Sequence, residues 1–266
     1  MPEEYWKRQG TKPLFEELEW NKPERRDQAG RLLIVGGNVH ALGAPAKSYE
    51  LALQTGIGAA KIALPDKTKK LVGATLTDAV FLPSTTSGEF SKEGIHELLG
   101  YAQWADTLLL PGDVGRNSQT AILFEELLKS YTGQVVITRD AVDILSNAPQ
   151  TMLEREDTTL VVSFAQLQKL IKNFGSSQPL VFSMDLVKLV EFLHDFTTAH
   201  PVALVVLHQN QYISAVNGVI STTKSPLQTP EPPHWRLPLA TIAACYQTWN
   251  PTEPLESLTH SSYLVK

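Results

Sequence analysis

A chain of 266 residues with 42% hydrophobic and 19% charged residues has the balance of a folded globular protein, which excludes the disordered and fibrous classes. A formal net charge of -5 supplies no basic footprint for a phosphate backbone, so no nucleic-acid partner is expected. A single cysteine, Cys245, rules out an intrachain disulfide and a cysteine metal cluster and fits a reducing, cytoplasmic setting.

The opening MPEEYWKRQG has no apolar stretch of the kind a secretory signal carries. Apolar runs such as Val202 to Leu207 are too short to span a bilayer, so no membrane partner is expected. Residues 1–29 are polar and broken by Pro13 and Pro23. They read as an N-terminal arm with one short helix over Pro13 to Leu18.

From residue 30 onward the pattern changes. Arg31 to Val35 is a continuous apolar run closed by Gly36-Gly37, the signature of a strand buried on both faces. Similar runs recur at Lys61 to Leu64, Ala79 to Leu82, Thr107 to Leu110, Val135 to Ile137, Leu160 to Val162, Leu180 to Phe182 and Val202 to Leu207. Between them, apolar residues at helical spacing predict helices over Ala46 to Gln54, Lys92 to Ala102, Thr120 to Ser130, Phe164 to Asn173, Leu186 to Thr197 and Leu239 to Trp249. Alternation of this kind predicts one α/β domain over 30–266, with a mostly parallel central sheet and helices on both faces. Ser221 to Pro233 carries four prolines in thirteen residues and reads as an exposed loop.

Three segments follow predicted strands, where ligands of open α/β sheets sit. The first is Gly36-Gly37-Asn38 with Gly43-Ala44-Pro45, whose spacing is wrong for a dinucleotide fingerprint. Its alternative reading is a turn that needs glycine for geometry. The second is Leu110-Pro111-Gly112-Asp113-Val114-Gly115-Arg116. Asn117 or Ser118 suits a helix cap there, and Arg116 offers a fixed charge for an anion, against the alternative of a solvated turn. The third is Thr138-Arg139-Asp140, whose carboxylate is placed either for chemistry or, more commonly, to cap the helix beginning near Ala141. The seven histidines do not fall at ligand spacing, so no metal site is expected, and neither GxSxG nor a P-loop is present.

Taken together these segments resemble a known family. Gly30-Arg31-Leu32-Leu33-Ile34-Val35-Gly36-Gly37-Asn38 with Gly43-Ala44-Pro45 is similar to the GRvLIvGGS…GAP opening of the ADP/ATP-dependent NAD(P)H-hydrate dehydratases, which have a ribokinase-like fold. Thr55 to Lys61 resembles the family's next helix-to-strand turn. Ala105 to Arg116 resembles its GPGLGR stretch, with Asp113-Val114 where one Leu is usual, and Ile137 to Leu145 resembles its DADAL turn.

The resemblance implies repair of hydrated NADH or NADPH: ATP or ADP phosphorylates the hydroxyl of the damaged ring, and phosphate then leaves. It places the hydrated cofactor against Asn38, Gly43, Ala44, Pro45, Gly112, Asp113, Gly115 and Arg116, and implies a homo-oligomer. The resemblance also implies a histidine of a TPHPGE segment against the hydrated cofactor, a lysine-glycine turn and a GSGD helix start for the nucleotide, and the base in GSGD. Here those positions read Val161 to Gln166, His208-Gln209 and His234-Trp235-Arg236-Leu237. The last has neither carboxylate nor glycine, so the expected reading is a diverged relative that keeps the fold and part of the small-molecule pocket without the phosphoryl transfer. An active dehydratase with a rebuilt base at Asp140 or Asp113, a non-catalytic scaffold, and a sugar or vitamin kinase stand as alternatives.

Overall fold

Long apolar runs with no alternation have to be covered on both sides, and the sheet is built from them. A computed structural model describes residues 4–72, 75–176, 179–226 and 234–265. The strands are β1 (Trp6–Arg8), β2 (Arg31–Val35), β3 (Ala59–Pro65), β4 (Ala79–Leu82), β5 (Thr107–Leu110), β6 (Gln134–Thr138), β7 (Thr158–Val162), β8 (Ala203–His208), β9 (Gln211–Val216) and β10 (Val219–Lys224). The helices are α1 (Glu17–Trp20), α2 (Gly43–Thr55), α3 (Lys69–Val72), α4 (Ile95–Trp104), α5 (Ser118–Ser130), α6 (Asp140–Leu145), α7 (Gln150–Leu153), α8 (Phe164–Phe174), α9 (Leu186–Ala199), α10 (Arg236–Trp249) and α11 (Pro254–Leu264).

All strands join one 10-stranded sheet in the order β1-β10-β9-β8-β7-β6-β5-β2-β3-β4. Pairing is parallel from β8 through β4, antiparallel for β8-β9 and β9-β10, and parallel again for β1 on β10. The sheet divides the interior into two cores by strict alternation. Leu33, Leu108, Val135, Leu160 and Leu204 face helices α4 to α9. Leu32, Ile34, Leu109, Val136 and Val205 face α1, α2, α10 and α11.

Local sequence fixes several helix starts. Asn117 caps α5 by accepting the Gln119 amide at 2.9 Å, and Asp185 caps α9 by accepting that of Lys188 at 2.8 Å. Ser163 and Gln166 form a reciprocal capping box on α8, which Gly175 closes at φ 91°.

Chain order reverses between β2 and β5: β3 and β4 extend to one side, β5 to β8 to the other. The crevice over that switch point is where an open α/β sheet receives a ligand. The loops after β2, β5 and β6, singled out in the sequence, all rise at this place.

The structure corrects two expectations. Leu180 to Phe182 is not a strand: the place beside β7 is taken by β8, and Val181 and Phe182 lie exposed in the loop before α9. Ser221 to Lys224 belongs to β10 and has Ser221, Thr222 and Thr223 buried, so it is not an exposed loop; residues 227–233 lie outside the described residues. Trp6–Arg8, within the N-terminal arm, adds the edge strand on β10, and the short helix there runs over Glu17–Trp20. Among the described residues no helix is long and apolar enough to cross a membrane.

Candidate functional site

Two glycine loops meet above β2 and β5 in direct contact. Gly37 N–H donates to the Gly112 carbonyl at 3.2 Å, and Asn38 Nδ2 donates to the Asp113 carbonyl at 2.7 Å. Asn38 Oδ1 in turn accepts the His40 and Ala41 amides, which closes a tight turn. A Cβ added to Gly36 would lie 2.6 Å from the Gly112 carbonyl oxygen, so this approach admits only glycine. At Gly112, with φ +102°, a Cβ would collide with Asp140 Oδ1.

Asp140 is the first residue of α6, and the residue before it, Arg139, sits at φ 56° and ψ -137° without a side-chain cap on the helix. The capping role expected for Asp140 is therefore not the one it has. Its Oδ1 accepts the Asp113 amide at 2.8 Å and its Oδ2 the Val114 amide at 2.9 Å. Those two N–H groups rise above the sheet edge with no strand to receive them, and the carboxylate satisfies both.

Asp113, itself at φ 59°, points the other way. Its Oδ2 accepts the Ala44 amide at 2.6 Å and its Oδ1 pairs with Arg139 Nη2 at 3.1 Å. Leu42 cannot cap α2, so Asp113 provides the negative charge at that helix's amino end from another loop. Its side chain is only 14% exposed.

The gap between the loops is thus closed by backbone contact and by Asp113, with open space on each side. On one side lies a cavity of about 640 Å³ lined by Gly43, Ala44, Asp113, Lys47, Arg139, Arg236 and His234. On the other, a cavity of about 660 Å³ is lined by Gly115, Arg116, Asp140, Asp143 and Lys169. The site residues named from the sequence are divided: Gly43, Ala44 and Asp113 face the first cavity, Gly115, Arg116 and Asp140 the second. Asn38, Pro45 and Gly112 are buried where the loops pack. Sequence reasoning missed Lys47, one helical turn beyond Gly43, and the cations Arg139 and Arg236 as lining of one pocket.

The three positions that depart from the family pattern have structural work. His208, at the end of β8, is buried; its ring stacks on Phe164 at 4.8 Å and its Nε2 bonds the Met184 carbonyl at 2.7 Å. Gln166 donates to the Arg139 carbonyl at 2.7 Å and to Asp143 Oδ2 at 2.8 Å, and accepts from Arg236 Nη1 at 2.5 Å. Trp235, just before α10, is 5% exposed and packs on Tyr212 at 5.3 Å. Cys245 is fully buried, which pushes its thiol up to about 12, so it is a core side chain and not a nucleophile.

No family model matches the chain. It is 25% identical over 150 residues to the bifunctional NAD(P)H-hydrate repair enzyme of Methanothermobacter thermautotrophicus, a match covering 55% of this chain and 28% of that enzyme's own length. Among solved structures, a ribokinase-like superfamily protein of Enterococcus faecalis superposes with a TM-score of 0.70 at 15% identity, covering 98% of this chain and 87% of that one. The ADP/ATP-dependent NAD(P)H-hydrate dehydratase of Bacillus subtilis, co-crystallised with ATP and magnesium, gives 0.61 at 14% identity, covering 96% and 87%. The sheet with its helices is a ribokinase-like fold.

Proposed function

We propose that this chain, a diverged relative of the NAD(P)H-hydrate repair enzymes, binds a small anionic ligand in the cavity beside α2 and no longer transfers a phosphoryl group. One observation carries this reading: neither Asp113 nor Asp140 is free to act as a base. Asp140 is held by two backbone amides, and Asp113 by the Ala44 amide and Arg139. A general base must reach the hydroxyl proton it removes, and donors already bonded to a carboxylate stabilise its charged form and weaken it as a base. The segment before α10 supplies no replacement carboxylate, because the Trp235 ring is turned into the core and Arg236 cannot accept a proton; His234 lines the cavity beside α2. Buried Trp235 alone would suit a scaffold equally well. The open cavity with Lys47, Arg139 and Arg236 on its wall favours a binder of anions.

The test follows the return of NADPH absorbance from its hydrate with ATP or ADP present, alongside melting curves with each nucleotide and with NADPH. The expected outcome is no turnover, no stabilisation by ATP or ADP, and stabilisation by an anionic ligand such as NADPH. A ligand at a hundredfold excess over its dissociation constant stabilises by about 2.7 kcal/mol, which melting curves resolve. Turnover that disappears in Asp140→Asn would overturn the reading and identify a rebuilt base.

A further inference from the structure

We propose that Asp113 is a built-in anion: its side chain occupies an oxyanion seat of its own pocket, and a ligand oxyanion enters that seat by displacing it. The proposal deepens the binding role argued above and rests on the same cavity. The seat is made of the Ala44 amide at the start of α2, 2.6 Å from Asp113 Oδ2, and the Arg139 guanidinium, 3.1 Å from Oδ1. Amide N–H groups at a helix start together with a guanidinium form a donor set that suits phosphate or carboxylate. Arg139 pairs with the carboxylate, and Lys47 and Arg236 are further cations on the wall of the same cavity.

The way Asp113 is held separates its backbone from its side chain. Its N–H is fixed by Asp140 and its carbonyl by Asn38. Among the described residues the carboxylate is fixed by the two seat contacts alone. Rotation about the Cα–Cβ bond therefore empties the seat without disturbing the loop. Two oxyanions do not share such a seat, because like charges a few ångströms apart repel strongly. Occupancy by Asp113 thus raises the threshold for any anionic ligand, and only a ligand with further contacts along the cavity overcomes it.

Removal of the side chain tests this. Asp113→Gly suits the positive φ of 59° and keeps the backbone bond to Asp140, so the loop should hold. Inorganic phosphate is the probe, titrated by calorimetry and by melting curves against chloride at matched ionic strength. Phosphate should bind Asp113→Gly at least about tenfold more tightly than the unaltered protein, and Arg139→Gln in the same background should remove the gain. Asp113→Asn, which keeps the shape and loses the charge, should fall between the two, and it decides the matter if the glycine variant does not fold. Equal phosphate affinity in the variants and the unaltered protein would overturn the proposal, as would a gain that survives Arg139→Gln. A loss of stability that phosphate does not restore would make Asp113 a helix cap only, and would overturn it too. Turnover of hydrated NADPH would sink the proposed function while leaving this titration to decide the seat.

Discussion

Asp140 and His260 show how a buried or tethered polar group acquires a measurable consequence. Both oxygens of Asp140 are used by loop amides, so its removal orphans two N–H groups over a loop that also supports Gly37. Hydrogen bonds to a charged group contribute about 1.5–3 kcal/mol each, and they are not independent here, so Asp140→Ala should destabilise by about 2–4 kcal/mol in urea unfolding. Asp140→Asn, which retains one acceptor, should cost roughly half as much. A change within experimental error for both would remove the structural role assigned to this carboxylate. His260 presents the opposite case. It is 1% exposed, neither ring nitrogen has a hydrogen-bond partner among the described residues, and its ring packs on Tyr246 at 4.8 Å. Desolvation lowers its pKa, with Glu19 and Glu17 pulling the other way. A depressed histidine is neutral in the fold and protonated more readily when unfolded, so the stability it permits is fully present above about 6.5 and is lost as pH falls below that value. The slope should approach about 1.4 kcal/mol per pH unit at most, and His260→Leu should flatten it. Unfolding free energies of both proteins from neutral to mildly acidic pH give the comparison, and parallel curves would refute the assignment.

The elements differ in how plainly they were written in the sequence. Strands β2, β4 and β5 are found where their apolar runs stand, β3 and β6 exceed theirs by one or two residues at each end, β7 starts two residues earlier, and β8 is shifted by one residue toward the C-terminus. A buried parallel strand has no polar side to blur its signal. Strands β9 and β10 were missed because QYISAV and VISTTK place hydroxyls inside: Ser214, Ser221, Thr222 and Thr223 are all buried. Yet Asn217-Gly218 between them is the strongest short hairpin signal a sequence carries, and both residues have positive φ, at 49° and 78°. Helix α11 was missed for a related reason. Its Thr259, Ser261 and Ser262 are buried, and each hydroxyl satisfies itself on the carbonyl four residues back, at 2.7, 2.6 and 2.8 Å. Polarity in the sequence therefore did not mean exposure. The false strand at Leu180 to Phe182 is the converse, an apolar triplet with Val181 and Phe182 left in solvent. For the site, the glycine loops were legible from the strands they follow. The partners of Asp113 and Asp140 were not, because both reach across loops distant in sequence, and no local pattern records which amide lacks a partner.

At the scale of the whole molecule, the sheet is closed at one side by segments far apart in the chain. β1 lies on β10 in parallel register, Trp6 against Ile220, with Trp6 Nε1 donating to Thr222 Oγ1 at 3.0 Å. Tyr5 stacks on His194 of α9 at 3.7 Å, and Ser221 and Thr259 hydroxyls meet at 2.5 Å, which ties α11 to the same strand. The backbone of β1 thus covers the outer side of β10, a strand whose other edge is already paired with β9. An uncovered edge offers a row of free N–H and C=O groups to any other strand, and β10 has one charged residue, Lys224, at its far end to discourage this. Deleting residues 1–9 removes the pairing, the Trp6 bond and the Tyr5 stack together. The expected cost is about 2–4 kcal/mol from the lost hydrogen bonds and aromatic burial. Because α11 still packs under β10, the rest of the sheet should persist, so the truncated chain should fold, melt earlier and expose an adhesive edge. Light scattering across a concentration series should then show association that the full chain does not show over the same range. Unchanged melting and unchanged particle size after the deletion would mean that β1 is an ornament on the sheet and that β10 protects itself.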